Sequence, residues 1–404
     1  MKRASPAVWL LAIGQTLTYA ALYYGFPALL PRLIAETGWT KAELAFGPTL
    51  AFLVMAALTP LTGRLVDRGL GGELLIGLPL LGALAFAGLG LTGTLWGWWA
   101  LWAVIGVAQA GSFYETCFAF LTRRLGPGAR SAITHVTLVA GFAGTLAFPL
   151  GAFLGGQFGG QGALMALAGI VALVAVPVNL GGVVLLRRQE RAAGIAAPKA
   201  APGALQAALR RPAFWAITAA FAAINLNHAI LLTYALVLFH DLGAGPAMAV
   251  AAASCIGPAQ VAGRVVLLST EARVGTARAV IWSFAAAVAA ALVLMAAGVA
   301  PMLIFAFSVI QGAGVGVMSI LRPVLVAEVL GRSGFGAISG AIAVGPILAS
   351  AAGPSVGAAL LLSGGVPATL VACLALAALG LAISVGLRSA RRADLKSELI
   401  RSHK

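Results

Sequence analysis

Residues 49–90 read TLAFLVMAALTPLTGRLVDRGLGGELLIGLPLLGALAFAGLG and place a short polar turn between two long apolar runs. All the charged residues of this stretch fall in that turn: Arg64, Asp67, Arg68 and Glu73. A helix of about 20 apolar residues crosses the hydrocarbon core of a bilayer. The stretch therefore predicts two membrane helices of opposite direction, joined by a turn at one face of the membrane.

The same pattern extends over the whole chain. Of its 404 residues, 61% are hydrophobic and 9% are charged, whereas a soluble domain has about 25% charged residues. The mean hydropathy is +1.01. We predict an all-α membrane protein with twelve spans, at residues 7–30, 43–66, 74–96, 98–122, 132–155, 162–186, 213–239, 246–268, 277–298, 301–329, 335–362 and 366–387.

Positive charge is distributed unequally between the two sides of these spans. The chain has 26 Lys and Arg against 11 Asp and Glu, and only Arg32 and Lys41 fall on the side opposite to the termini. Basic residues accumulate in cytoplasmic loops. The asymmetry predicts cytoplasmic termini and an even number of spans, and it explains the net charge without a nucleic-acid partner. The Ala-, Gly- and Arg-rich composition is typical of a bacterial inner-membrane protein.

The chain divides into two similar halves. Residues 187–212, RRQERAAGIAAPKAAPGALQAALRRP, have the composition of a linker, so we predict bundles at 1–186 and 213–388 with a tail at 389–404. Gly111 and Pro149 of the first half recur at one common spacing as Gly316 and Pro354. Two six-span repeats related by an axis along the membrane normal are typical of transporters.

The turn after span 2 carries the pattern Gly-x-x-x-Asp-Arg at Gly63, Asp67 and Arg68. With the layout of six spans, a linker and six spans, the chain resembles the major facilitator superfamily over almost its whole length. The resemblance implies twelve transmembrane helices in two pseudo-symmetric six-helix bundles, with spans 1, 4, 7 and 10 around a cavity. It also implies a gating role for this turn, where Asp67 would meet Arg123, Arg124 or a helix N-terminus.

The second half resembles the monocarboxylate and organic-anion porter branch of that superfamily. In the segment IGPAQVAGRVV, Arg264 occupies a position near that of a substrate-facing arginine in the branch. The branch usually has an acidic residue four positions earlier, where this chain has Gln260. Snorkelling of Arg264 to the membrane surface is the alternative.

Two charged residues are expected deep in the membrane. Arg322 precedes Gly331, the predicted end of span 10, by nine residues, which is about 14 Å along a helix. Glu115 precedes Arg123 by eight residues, or about 12 Å. Such groups need a partner or a function. We hypothesise that Arg322 binds substrate, that Glu115 couples protons, and that the two face each other or share a water-filled path. The alternatives are a structural ion pair or snorkelling for Arg322, and an ion pair with an arginine of its own half for Glu115.

Polar side chains are concentrated on spans 1, 4 and 7, three of the spans that the resemblance places around the central cavity. We predict that they line the substrate site, although interfacial anchoring or ordinary polar packing would explain single members. The set is Gln15, Tyr19 and Tyr23 on span 1, Gln109 and Tyr114 on span 4, and Asn225, Asn227, His228 and Tyr234 on span 7.

Deep cationic side chains with Tyr, Asn and Gln donors suit a small carboxylate-bearing anion. The sequence therefore predicts a proton-coupled secondary transporter for a small organic anion, acting as a monomer in the bilayer. An exporter of lipophilic drugs or cations that uses Glu115 is one alternative. A non-transporting sensor or assembly factor that recruits a partner through residues 187–212 is another. No phosphate loop, metal-ligand cluster or nucleophile–base spacing predicts an enzyme, a metal or a cofactor.

Overall fold

The computed structural model describes residues 5–192, 203–270 and 274–402, with side chains except at 127, 190–192 and 390–402. This part of the chain is helical and contains no strand. The first half holds α1 Pro6–Leu22, α2 Gly25–Thr37, α3 Lys41–Leu65, α4 Gly71–Leu89, α5 Leu95–Ser112, α6 Tyr114–Leu125, α7 Ala129–Ala140, α8 Ala143–Ile170 and α9 Val176–Ala192. The second holds α10 Ala204–Leu209, α11 Pro212–Asp241, α12 Pro246–Ser254, α13 Ile256–Thr270, α14 Thr276–Ala296, α15 Leu303–Val329 and α16 Phe335–Ser402.

These helices account for the twelve predicted spans. Among the described residues, eight continuous helical segments are long and apolar enough to cross a membrane. Three of them, Lys41–Leu89, Ala129–Gln189 and Phe335–Ser389, hold two predicted spans each. The pair α1 and α2 supplies the first span, which is divided near Tyr23 and Tyr24.

All three joined segments turn at a glycine with a positive φ. Gly69 has φ 102° in the turn between spans 2 and 3. Gly159 has φ 72° in the turn between spans 5 and 6, and Gly365 has φ 66° in the turn between spans 11 and 12. Residues with a side chain rarely adopt these angles. The carboxylate of Glu36 also binds the turn at Gly159, because it accepts the backbone N–H groups of Gly160 and Gln161 at 2.5 and 3.0 Å.

The described residues form two compact units. The first contains Met1–Leu205 together with Gly331–Val344, and the second contains Gln206–Leu330 together with Gly345–Lys404. The division along the chain falls inside the predicted linker. The first turns of α16 belong to the first unit, although their place in the sequence would put them in the second.

Helix packing in the first unit depends on close backbone approach between spans 2 and 4. A Cβ atom added at Gly106 of α5 would lie 2.5 Å from the carbonyl oxygen of Ala51 on α3. Aromatic residues fill the neighbouring layer, where Trp98 and Trp102 are fully buried. The indole N–H of Trp98 donates to the carbonyl of Leu44 at 3.2 Å, so this layer also ties α5 to the start of α3.

A Gly106→Ala substitution should destabilise the protein, because the new methyl group meets backbone that cannot move aside. We expect a cost of about 1–3 kcal/mol and a lower Tm in detergent. Gly77→Ala on α4 is the matched control, since a Cβ there meets nothing within 4 Å. Alanine raises helix propensity by roughly 1 kcal/mol, so Gly77→Ala should keep or raise the Tm. Equal Tm values for the two variants would contradict this packing.

Candidate transport site and gate

Span 4 is interrupted at Phe113, between the end of α5 at Ser112 and the start of α6 at Tyr114. Phe113 is extended, with φ −83° and ψ −172°. We call this interruption the span-4 break. A membrane offers no water to backbone groups freed in this way, so side chains must satisfy them. The carbonyl of Ala110 accepts the hydroxyls of Thr62 and Thr116 at 2.9 and 3.0 Å.

Span 1 binds the chain on both sides of Phe113. The side-chain amide of Gln15 donates to the carbonyl of Ser112 at 2.7 Å, and the backbone N–H of Tyr114 donates to the hydroxyl of Tyr19 at 3.2 Å. Span 4 in turn binds the interruption of span 1: the side-chain amide of Gln109 donates to the carbonyl of Leu22, where α1 ends, at 2.9 Å. The interruptions of spans 1 and 4 are therefore held by side chains of the opposite span.

Aromatic stacking surrounds the span-4 break. The ring of Tyr19 stacks on Phe113, with centroids 4.0 Å apart and planes 18° apart, and lies 4.4 Å from the ring of Tyr114. Tyr23 is 5.9 Å from Tyr19. The structure thus brings together the five residues that the sequence placed on spans 1 and 4. Gln15 and Gln109 are buried and bound to backbone; their role towards a substrate stays a prediction.

Glu115 lies in the first turn of α6 and is half-buried. The span-4 break creates this helix start inside a predicted span. Acidic side chains are favourable in the first turn of a helix, where the backbone N–H groups carry partial positive charge. The placement of Glu115 therefore depends on the break.

In the second unit, the predicted residues of span 7 divide into two groups. Asn227 is fully buried: its amide donates to the carbonyl of Cys373 at 2.7 Å, and its oxygen accepts from Gln311 of α15 at 3.0 Å. Tyr234 donates to the carbonyl of Pro354 at 2.7 Å. Asn225 and His228 are half-buried, and Nδ1 of His228 has no hydrogen-bond partner among the described residues.

The two predicted arginines of the second unit lie in different surroundings. Arg322 is half-buried on α15, directly before Pro323. Arg264 is only 5% exposed, and its Nε donates to the carbonyl of Gly316 on α15 at 3.2 Å. A Cβ at Gly316 would lie 2.7 Å from Cα of Gln260. Arg264 thus joins spans 8 and 10 where their backbones are close, and its substrate role stays a prediction.

The turn after span 2 binds the start of α16 within the first unit. Both carboxylate oxygens of Asp67 accept backbone N–H groups, from Gly336 and Ala337, each at 2.8 Å. Gly63 permits this approach, because a Cβ there would overlap the carbonyl of Gly336. Burial raises the pKa of Asp67, although the two N–H groups and the nearby Arg123 each lower it.

The basic residues around this turn have separate positions. Arg123 donates to the carbonyls of Val66 and Asp67 at 3.0 and 2.9 Å. The guanidinium of Arg124 lies 5.4 Å from the ring centroid of Phe120, and Arg68 is exposed. Of the partners that the sequence suggested for Asp67, the carboxylate binds a helix N-terminus, while Arg123 binds the backbone of the turn. The gating role of the turn stays a prediction.

The sequence did not predict the span-4 break or the two hydroxyl groups that support it, those of Thr62 and Thr116. Neither glycine nor proline occupies residues 112–114, so no common helix breaker marks the position. One usable signal was present. Buried amides such as Gln15 and Gln109 need hydrogen-bond partners, and interrupted helices supply free carbonyls.

Comparison with known proteins identifies the class. A family model described as the Major Facilitator Superfamily matches residues 11–342. The chain belongs to the major facilitator superfamily. It is therefore a multi-pass membrane protein and a secondary transporter. The predicted fold class, an all-α membrane protein with twelve transmembrane helices in the major facilitator fold, is confirmed.

Solved structures of transporters are similar to this chain. The human organic anion transporter MFSD10 (TETRAN) has a TM-score of 0.71 at 17% identity, covering 94% of this chain and 100% of its own. A bacterial homologue of the iron transporter ferroportin has a TM-score of 0.73 at 16% identity, covering 95% and 99%. The E. coli fucose:proton symporter FucP has a TM-score of 0.68 at 14% identity, covering 94% and 98%. In the search by sequence, no curated protein matched the chain.

Replacing Asp67 by alanine should loosen the start of α16, because two hydrogen bonds to a charged acceptor are lost. Such a bond contributes about 1.5–3 kcal/mol, so backbone N–H exchange at Gly336 and Ala337 should accelerate roughly tenfold or more. Hydrogen-exchange mass spectrometry of peptides that cover residues 335–340 measures this. Glu73→Gln is the control, since Glu73 in the same connection pairs with Arg187 at 2.7 Å. Unchanged exchange in Asp67→Ala would contradict the assignment.

Proposed function

We propose that this protein is a proton-coupled secondary transporter of a small organic anion with a carboxylate group, working by alternating access. The observation that carries the proposal is Arg322, a half-buried arginine about 10 Å along α15 from the end of that helix at Val329. An ionisable group at this depth is costly in a membrane and marks a substrate or ion pathway by default. A guanidinium binds a carboxylate with two parallel hydrogen bonds.

The surroundings of Arg322 in its own unit support a polar ligand with an apolar body. Asn225 and His228 are half-buried on α11. The amide of Asn225 donates to the carbonyl of Phe221 at 2.7 Å and its oxygen accepts from Ser350 at a long 3.4 Å, while Nδ1 of His228 has no hydrogen-bond partner among the described residues. Asn227 and Tyr234 donate to backbone carbonyls of other segments, and Arg264 is almost fully buried. We assign ligand contact first to Arg322, because of its charge and its position on α15, and to the half-buried Asn225 and His228.

Proton coupling is assigned to Glu115. It is the carboxylate that the interruption of span 4 places inside a span, at the start of α6. A carboxylate inside the membrane is a suitable proton carrier, because it changes charge when it binds a proton. The hypothesis that Glu115 and Arg322 share a water-filled path stays a prediction.

Two of the similar structures support this choice of substrate and coupling. MFSD10 is described as an organic anion transporter and FucP as a fucose:proton symporter. At 17% and 14% identity they share the fold with this chain, so they are support by analogy only. Resemblance of the second half to the monocarboxylate and organic-anion porters agrees with an anionic substrate.

In the proposed cycle, the turn after span 2 acts as a gate. The carboxylate of Asp67 accepts two N–H groups from the start of α16 and so holds one conformation of the transport cycle. Gly63 permits the close approach of the two segments, and Arg68 and Arg124 provide positive charge beside them. We place the protein in a bacterial inner membrane, with both termini in the cytoplasm, and we expect it to act as a monomer.

Arg322→Gln should abolish stabilisation by carboxylate ligands. A ligand present at about 100 times its Kd adds about 2.7 kcal/mol to stability, which is a measurable rise in Tm. We would screen purified protein with short mono- and dicarboxylates and with lipophilic cations. Carboxylates should raise the Tm of the wild type and of the control Arg278→Gln, which lacks an exposed arginine at the start of α14. A rise with lipophilic cations alone would favour the drug-exporter alternative.

Glu115→Gln should remove uptake driven by a pH gradient while retaining exchange of substrate across the membrane. The amide keeps the shape of the side chain but cannot bind and release a proton. Proteoliposomes with an imposed pH gradient, compared with preloaded vesicles at equal pH, separate the two activities. Glu73→Gln is the matched control at the cytoplasmic surface. Full gradient-driven uptake in Glu115→Gln would exclude this residue as the proton carrier.

A further inference from the structure

The start of α6 lacks the side-chain cap that its own sequence would normally provide. Phe113 precedes the helix and its side chain has no hydrogen-bonding group. The first backbone N–H of α6, that of Tyr114, instead donates to the hydroxyl of Tyr19 on span 1. A residue of another helix therefore performs the capping function at this position.

We propose that Tyr19 is a positioning residue for Glu115. Its hydroxyl fixes the backbone of Tyr114, the residue directly before Glu115, and so sets where the first turn of α6 begins. A movement of span 1 is thereby transmitted to the carboxyl of Glu115. This inference rests on the proposed function, in which Glu115 carries the proton.

Two further contacts make Tyr19 suited to this task. Its ring stacks on Phe113 and lies against Tyr114, so the hydroxyl is held in place by rings on the same segment that it binds. One turn earlier on α1, Gln15 binds the carbonyl of Ser112. Span 1 thus holds the residue before Phe113 and the residue after it, and the segment cannot shift while both bonds persist.

The backbone N–H of Tyr114 also has a defined alternative acceptor. In an uninterrupted helix it would donate to the carbonyl four residues earlier, that of Ala110. Here that carbonyl accepts the hydroxyls of Thr62 and Thr116 instead. The span-4 break therefore has two sets of competing hydrogen bonds, one that includes Tyr19 and one that closes span 4 into a continuous helix. A few competing bonds of this kind form a two-state element.

Tyr19→Phe tests the proposal, because it keeps the stacked ring and removes only the hydroxyl. Exchange of the backbone N–H groups at residues 114–117 should become roughly three- to tenfold faster, the effect of losing one neutral hydrogen bond. The pH at which uptake is half-maximal should shift, while the KM for substrate changes little. Thr18→Val is the matched control, since Thr18 is a buried residue of the same helix and, among the described residues, its hydroxyl donates to the carbonyl of Gly14 alone.

The double variant Thr62→Val, Thr116→Val removes the two hydroxyls that donate to the carbonyl of Ala110, and so favours the continuous form of span 4. It frees the carbonyl of Ala110 for the N–H of Tyr114, so it should also shift the pH profile, with no faster exchange at residues 114–117. This variant keeps the test available if Tyr19→Phe does not fold.

The outcomes separate the proposal from the function on which it rests. If Tyr19→Phe matches Thr18→Val in exchange, or alters exchange without moving the pH profile of a proton-coupled wild type, the positioning role is overturned. If uptake by the wild type and by Glu115→Gln is equally independent of pH, the proposed coupling fails instead. Faster backbone N–H exchange in Tyr19→Phe, together with a shifted pH profile of uptake, supports both the positioning role of Tyr19 and the proposed coupling.

Discussion

A helix interrupted inside a membrane must have its free backbone groups satisfied by protein, because hydrocarbon offers no hydrogen bonds. At the span-4 break, four side chains do this: Gln15 and Tyr19 from span 1, Thr62 from span 2 and Thr116 from span 4 itself. The interruption makes possible a helix start at Tyr114 and hence the placement of Glu115. The presence of these four polar side chains around the break is thus explained by the hydrogen-bonding needs of the backbone.

The same physical constraint operates at the ends of other helices in this unit. Glu36 accepts the N–H groups of Gly160 and Gln161 next to the turn at Gly159, and Asp67 accepts those of Gly336 and Ala337 at the start of α16. Both carboxylates satisfy N–H groups that have no partner in their own helix. The two carboxylates differ in how far along the chain they reach. Glu36 binds another helix of the first six spans, whereas Asp67, which also belongs to the first six, binds a helix of the last six.

The twelve spans could be predicted from the sequence because hydrophobic length and charge distribution are local properties. The turn at Gly63–Asp67–Arg68 was found for a similar reason, since its charged residues stand out between apolar runs. The start of α16 as the partner of Asp67 could not be specified, because the pairing joins residues far apart in the chain. Phe113 was missed because its extended conformation depends on side chains from spans 1 and 2, which a local pattern does not contain.

The sequence alone therefore does not distinguish a polar residue that binds substrate from one that binds the backbone of a neighbouring helix. Its hydrogen bonds make that distinction. Gln15, Gln109 and Asn227 have the residue types and spacing expected of a cavity lining, yet each donates to a backbone carbonyl of another helix. A buried amide that is bound in this way would have to break a hydrogen bond before it could bind substrate, at a cost of roughly 1 kcal/mol or more. Asn225 and His228 are half-buried instead: the amide of Asn225 donates to the carbonyl of Phe221 on its own helix at 2.7 Å, and Nδ1 of His228 has no hydrogen-bond partner among the described residues. Full burial and hydrogen bonds between helices are what separate Gln15, Gln109 and Asn227 from the half-buried Asn225 and His228, and they narrow the predicted set to a smaller candidate site.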